Sequence, residues 1–342
     1  MTTSDLTTVG EVVQLGTALL VGRFEDGSPE WHEARTKVIG GSEVGSIMQV
    51  NSFESRYVLW YRKAGFLTQE EPEEPNPLFE WGHRLEPVVA EKFADMHPEF
   101  DVQVSGSWIH QERPWHGANP DRLLAYKYEI VDEDGQLIED VLEVEAVLEI
   151  KTSMSGYGWE NDMCPVKYVA QLRWYLECFG LDYGYLVVLA SLGDYREFLV
   201  PRDPTKPVVS QQTGREEWYS IGGQEMIDEV RDFYQSLPGQ LTAEGTPPDI
   251  DGGTDTYEMI RERHPDINNV DMEIATELAL EFRQALADEK AAIAEAQRMK
   301  NVMLELMGKN RRAVIPTEDP KRPIVVARRQ SKKGGKPYLV TT

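Results

Sequence analysis

Residues 141–151 read VLEVEAVLEIK, an alternation that places Leu142, Val144, Ala146, Leu148 and Ile150 on one face of a β-strand. The other face then carries Glu143, Glu145, Val147, Glu149 and Lys151. A solvated outer face is the plain explanation of such a carboxylate row. The strand's end suggests more, because Glu149 and Lys151 project together there. A carboxylate so placed can bind a hard cation, and a neighbouring ammonium can orient or deprotonate an attacking water.

One carboxylate does not hold a catalytic metal, so further donors are needed. Asp121 follows Asn119-Pro120, and Pro120 fixes the backbone just ahead of it; alone, Pro-Asp is only a turn signal. Glu86 lies on a helical stripe with Phe79, Gly82, Val89 and Phe93. A carboxylate in that stripe must be paired, protonated or bound to metal, since burying it bare is costly. The plainer alternatives are an ion pair to Arg84 or a solvated rim position. Gln171 and Tyr175 stand one helical turn apart, with Tyr168 and Cys178 on the same face. A polar Gln among apolar neighbours either reaches a site or is a single satisfied polar group in a core.

These residues need elements to position them. The acidic, Pro-rich segment 68–77 reads as an exposed loop, and helical spacing runs over 78–94, with Pro87 disturbing it. Strand-like runs at 123–131 and 137–151 flank Asp134-Gly135, which predicts a β-hairpin. Residues 167–179 form an amphipathic helix ending at Gly180, and strands follow at 185–190 and 196–200. Helix, strands, helix, strands describes an α/β (α+β) fold with a mixed central sheet flanked by helices. Residues 201–262 are loop-rich, with a helix over 223–237. A long helix is expected over 272–307 from the spacing of Ile274, Leu278, Phe282, Ile293, Met299 and Leu306, packed on the core of its own chain more readily than in a coiled coil. Residues 324–340 suggest a basic hairpin around Gly334-Gly335.

Composition narrows the functional classes. The chain has 342 residues, enough for two domains or one large domain with an appendage. No apolar run approaches the ~20 residues of a membrane span. The N-terminus lacks the basic start of a secretory signal, and two cysteines, Cys164 and Cys178, suit a reducing cytoplasm. Lys and Arg number 35 against 59 Asp and Glu, a net charge of −24, which argues against a surface that coats nucleic acid but not against a confined grip. Charge is uneven: residues 297–342 hold twelve basic and three acidic residues, a weak pointer to an anionic partner. The six histidines show no zinc-binding spacing, and Gly40-Gly41-Ser42 lacks the Lys of a phosphate-binding loop, so ATP is not expected.

Together, Asp121, then Glu149-x-Lys151 beyond a hairpin, then Gln171-x-x-x-Tyr175 resemble the PD-(D/E)XK nuclease superfamily. Trp81-Gly82-His83-Arg84-Leu85-Glu86-Pro87 is similar to an element of its YqaJ-type viral recombinases, the lambda-exonuclease-like branch. Trp31-His32-Glu33-Ala34-Arg35 and Gly41-Ser42-Glu43 resemble that branch's first helix and the turn after it. The likeness covers residues 31–200 or so. It implies a restriction-endonuclease-like core in which Glu86, Asp121, Glu149 and the Ile150 carbonyl hold one or two Mg²⁺ ions, with Mn²⁺ able to substitute. Lys151 would activate the water, Gln171 and Tyr175 would support the DNA end, Arg35 and Ser42 would bind a 5′-phosphate, and Trp31 would press on bases. Asn119 departs from the Ser found there in a relative, which affects a minor backbone contact.

The resulting expectation is an N-terminal extension (1–30), a nuclease core (31–200), a connecting region (201–262) and a C-terminal helical extension with a basic tail (263–342). Its activity would be Mg²⁺-dependent 5′-to-3′ digestion of double-stranded DNA in the cytoplasm. The product would be 3′ single strands for an annealing protein. The resemblance and the acidic charge together suggest a homo-oligomeric ring, trimer or tetramer, with a basic lumen; a monomer with a DNA-binding tail is the alternative. Rival functions are an endonuclease of the same superfamily and a catalytically silent DNA-binding scaffold.

Overall fold

The structure is a computed structural model that describes residues 13–25, 27–51, 53–67, 77–131, 137–156, 158–191, 193–317, 323–332 and 335–341. The chain divides into two compact units, Met1–Pro265 and Asp266–Thr342. No helix among the described residues is long and apolar enough to cross a membrane.

The first unit runs β1 (Gln14–Leu15), β2 (Ala18–Gly22), α1 (Pro29–Thr36), α2 (Gly41–Ile47), α3 (Arg56–Lys63) and α4 (Pro77–Met96). It continues through β3 (Phe100–Val104), β4 (Ser107–His110), β5 (Arg113–Ala118), β6 (Arg122–Val131), β7 (Leu137–Ser153) and α5 (Val166–Phe179). It closes with β8 (Tyr183–Ala190), β9 (Tyr195–Pro201), β10 (Val208–Ser210), β11 (Glu216–Glu217), α6 (Gly223–Ser236) and α7 (Thr254–Arg263). A seven-stranded sheet of order β11-β10-β9-β8-β7-β6-β3 is the centre of the unit. Only β7 and β8 pair in parallel, with α5 as their crossover, so the sheet is mixed. A smaller sheet of order β1-β2-β4-β5 draws residues 14–22, expected to lie in an extension, into the same unit.

Helices cover both faces of the large sheet. On one face, Val89, Ala90 and Phe93 of α4 pack with Leu124, Ala146, Leu148, Ile150 and Val187. On the other, Val169, Leu172 and Leu176 of α5 pack with Val147, Leu186 and Val188. Helix α4 runs through Pro87 because those buried residues pin its following turns to the sheet. Helix α5 ends at Gly180, whose φ of 75° is the left-handed conformation that glycine adopts freely. The expected hairpin is present as β6 and β7, although its Asp134-Gly135 turn lies outside the described residues.

Strand β7 departs from simple alternation. Ala125 pairs with Val144 while Leu124 pairs with Ala146, so Glu145 is an extra residue in a β-bulge. Val144 therefore packs against the α5-side core, not beside Ala146, Leu148 and Ile150 as strict alternation requires. The bulge changes the phase once, and the two faces of 146–151 then follow the expected parity.

Residues 201–221 are tied down by the fully buried Arg173 of α5. Its guanidinium donates to the carbonyls of Pro201 (3.0 Å), Tyr219 (2.6 Å) and Ile221. Burial lowers its pKa to about 10.

The second unit consists of α8 (Thr276–Met307), β12 (Arg312–Ile315), β13 (Ile324–Gln330) and β14 (Tyr338–Thr341). The strands form a three-stranded antiparallel sheet with β13 in the centre, one strand more than the expected hairpin. Gly334 of its connection lies outside the described residues. Among the described residues, Leu278, Phe282, Ile293 and Leu306 of α8 are exposed, and of this helix only Met307 is buried. The period marks a face able to be covered, not what covers it.

Candidate active site

The end of β7 and the start of β6 bring the polar residues together. Asp121 precedes β6, and its Oδ2 accepts the Ile150 backbone N–H at 2.6 Å, which locks the carboxyl beside the end of β7. Glu149 turns toward α5 and is only 2% exposed. Its Oε1 accepts from Lys151 Nζ at 2.5 Å and from Gln171 Nε2 at 2.5 Å. Gln171 Nε2 also donates to the Tyr175 hydroxyl at 2.9 Å. Four of the residues singled out by spacing therefore form one connected network. Glu149 Oε2 is buried with no hydrogen-bond partner among the described residues, a costly state for a carboxylate oxygen.

The electrostatics of the cluster follow from that crowding. Burial raises the pKa of Asp121 well above the usual carboxylate range, and Glu149 and Glu86 raise it further. Burial also raises Glu149, with Glu86 adding to it and Lys151 opposing. For Lys151 burial disfavours the ammonium, but Glu149 and Asp121 outweigh it and hold the amine above its ordinary value. The site has more negative groups than its own lysine neutralises, and all are hard oxygens. The orphaned Glu149 Oε2 and the raised Asp121 are the oxygen donors that could hold a hard divalent cation. Among the described residues no three His, Cys, Asp or Glu side chains are gathered into a ready-made cage.

Glu86 shows why. It is paired neither with Arg84, which meets Glu80 at 2.9 Å, nor with solvent alone. Arg122 Nη1 holds its Oε1 at 2.6 Å and also donates to the Asp121 carbonyl at 2.6 Å. Arg122 is a functional neighbour that sequence spacing did not reveal. An open cleft of about 270 Å³ runs past these groups, lined by Arg23, Trp31, Glu86, Asn119, Asp121 and Arg122 among others.

The first helices supply a second polar pair. Arg35 on α1 donates to the Ser42 hydroxyl at 2.9 Å, and its guanidinium lies 4.4 Å from the Trp31 ring centroid. Ser42 sits in the first turn of α2 rather than in a free Gly-Gly turn. Gly41 explains how α2 comes so close to α5. A Cβ there would meet the Tyr175 ring at 2.5 Å and Gln171 at 3.1 Å, so only glycine permits the approach. The contact joins the Arg35–Ser42 pair to the Glu149 network. Tyr175, expected against DNA, is 3% exposed and acts instead as a wall for Gly41 and a partner for Gln171. Ile150, whose carbonyl was expected to face a cation, also holds Asp121 through its N–H.

A buried ion cluster braces this pair. Glu43 accepts from the Gly40 N–H at 2.9 Å and pairs with Lys63 at 2.9 Å and Arg62 at 3.3 Å. Lys63 also donates to the Arg35 and Val38 carbonyls at 2.8 and 2.6 Å. On the other side of α2, Lys167 Nζ lies 3.7 Å from the exposed Phe53 ring centroid.

The stretch that carries all these residues, 30–182, matches the model of the YqaJ-like viral recombinase domain. Over this stretch the chain is similar to a YqaJ-like domain. The uncharacterised protein YqaJ of Bacillus subtilis (strain 168) is 25% identical over 256 residues, covering 73% of this chain and 68% of its own length. A crystal structure of LHK-Exo in complex with dAMP is 17% identical with a TM-score of 0.43, covering 70% of this chain and 99% of that one. The crystal structure of the alkaline exonuclease LHK-Exo from Laribacter hongkongensis is 16% identical with a TM-score of 0.40, at the same coverage.

The raised carboxyls of this site have a measurable consequence. A carboxyl whose folded pKa exceeds its unfolded one favours the fold below the unfolded value, and that contribution is lost as pH rises through the folded value. Asp121→Asn is therefore expected to raise the melting temperature of the metal-free chain at neutral pH. Calorimetry with a chelator present checks it; an equal or lower melting temperature would show that Asp121 ionises there without strain.

Proposed function

We propose that the chain is a Mg²⁺-dependent nuclease of recombination that digests double-stranded DNA from 5′ ends and leaves 3′ single strands for an annealing protein. The observation that carries this reading is the continuous contact from Lys151 and Glu149 through Gln171 and Tyr175 to Gly41, beside Arg35 and Ser42. A hydrolytic centre adjoins a phosphate-sized donor pair. Asp121, Glu149 and Glu86 would hold the cation. When bound, it supplies charge neutralisation at the phosphodiester and makes water a better nucleophile. Lys151 would orient that water, Gln171 would keep Glu149 aimed, and Arg35 with Ser42 would seat the terminal phosphate. The uncovered stripe of α8 supports assembly into a closed ring in that reading.

The test compares linear duplex with a 5′-phosphate, the same duplex with a 5′-hydroxyl, and a closed circle, each with and without Mg²⁺. Digestion of the phosphorylated linear duplex alone, and only with Mg²⁺, is expected. Cutting of the circle would indicate an endonuclease, and binding without cutting a scaffold. Arg35→Ala is expected to slow the 5′-phosphate duplex by about 10- to 100-fold and the hydroxyl duplex far less, as suits loss of a charge-assisted hydrogen bond. Equal slowing of both would leave Arg35 as a general backbone contact.

A further inference from the structure

The second unit holds a concentration of positive charge that the candidate active site does not use. From Gly308 to Thr342 ten basic residues meet two acidic ones, in a chain of net charge −24. The sheet sets like charges against each other: Arg312 on β12 is the direct cross-strand partner of Arg328 on β13. Such a pair is unfavourable unless an anion lies between or beside the two groups. Neither has a carboxylate at ion-pair distance among the described residues, and the same is true of Lys309, Arg311 and Arg329. Lys309, Asn310, Arg311, Arg329, Gln330 and Ser331 line an open pocket of about 350 Å³. Arg329 Nε is buried with no hydrogen-bond partner among the described residues. Strand alternation puts Arg311 and Arg329, which line the pocket, on the face opposite Arg312 and Arg328, so the sheet carries unmatched guanidinium groups on both faces, and each set calls for an anion.

We propose that the sheet β12-β13-β14 is a second nucleic-acid site, which grips the phosphate backbone of DNA without reading its sequence. Guanidinium groups present planar donor forks that match phosphate oxygens, and a phosphodiester near Arg312 and Arg328 removes their mutual repulsion. A protein partner is less suited, because the cores of protein interfaces are depleted of charged residues and this pocket gathers Lys309, Arg311 and Arg329. The identification of the anion as DNA rests on the proposed nuclease function; the existence of an anion site does not. Such a site gives an acidic enzyme a hold on its substrate that is independent of the 5′ end.

The experiment uses the full chain without metal, binding a fluorescent 5′-hydroxyl duplex across a range of salt concentrations. The triple variant Arg311→Gln, Arg328→Gln, Arg329→Gln is expected to bind at least about tenfold more weakly in low salt. Its salt slope is expected to fall by about one for each arginine removed. The corresponding triple lysine variant should retain the slope, and the melting temperature of the glutamine variant should not fall, because Arg328→Gln relieves the repulsion with Arg312. Unchanged affinity and slope in the glutamine variant would overturn the proposal. So would loss of binding to a poly-glutamate peptide with duplex binding intact, which would mark an acidic polypeptide as the partner. If the wild type cuts no DNA yet the glutamine variant still loses duplex binding, the nuclease reading fails and this site stands.

Discussion

Lys151→Ala is expected to slow cleavage of a 5′-phosphorylated duplex by about 10²- to 10⁴-fold, the range for removing a group that moves or holds a reacting proton. DNA affinity should change little, because the Lys151 ammonium is spent on Glu149 Oε1 at 2.5 Å. The loss should therefore appear in kcat, with KM nearly unchanged, the signature of an interaction needed chiefly in the transition state. A second effect adds to the first. Without the ammonium, Glu149 loses the group that opposes its raised pKa, so more of it is protonated at neutral pH. The variant's residual activity should accordingly rise with pH more steeply than that of the wild type. Glu149→Gln separates the contributions, since it keeps a polar side chain near Gln171 but removes the charge a cation needs. Single-turnover kinetics on linear duplex, with circular dichroism to confirm folding, decides the matter. Wild-type turnover in Lys151→Ala would show that the centre of the chemistry lies elsewhere.

Much of this centre was legible because its logic is local. Alternation placed Glu149 and Lys151 on one face, one helical turn linked Gln171 to Tyr175, and Gly180 marked the end of α5. Each rule spans a few residues, and the structure obeys each. What was not legible depends on partners distant in sequence. Arg122 reaches Glu86 across 36 positions, and only the packing of α4 against the sheet end makes them neighbours. The bulge at Glu145 changes the phase of β7 without any change in composition, so Val144 was placed on the wrong face. The apolar stripe of α8 had the right period, but period alone does not say whether a stripe is covered within the chain. Tyr175 was expected at the DNA end from the resemblance carried by Gln171-x-x-x-Tyr175, and it is 3% exposed. The glycine that seals it off, Gly41, lies on another helix.

The same distance in sequence hid the support beneath Arg35. Glu43 appeared only as a member of a short motif, and Arg62 and Lys63 carried no motif at all. Glu43→Ala is expected to destabilise the chain by about 3–5 kcal/mol, the usual result of removing one partner from a buried ion pair and leaving the others uncompensated. Lys63 is almost as buried as Glu43, each side chain being 4% exposed, so its ammonium would face the Arg35 and Val38 carbonyls without a counter-charge. Burial already lowers the Lys63 pKa with Glu43 in place, and removing Glu43 should lower it further. The pH dependence has a definite sign. Burial alone would raise the Glu43 pKa, but Lys63, Arg62 and Arg35 outweigh it and hold the carboxyl below its ordinary value of 4.5. A depressed carboxyl contributes stability above its unfolded pKa and loses it as pH falls through the folded one. Wild-type stability should thus decline below about pH 4.5, while Glu43→Gln should lack that part of the decline. Because Lys63 anchors the Arg35 carbonyl, the variants should also lose preference for 5′-phosphorylated ends even where they remain folded. Urea unfolding at several pH values tests the first claim, and end preference at low temperature tests the second. A Glu43→Ala chain as stable as wild type, with its end preference intact, would mean that Arg62 and Lys63 find other partners and that α2 is positioned by the Gly41–Tyr175 contact alone.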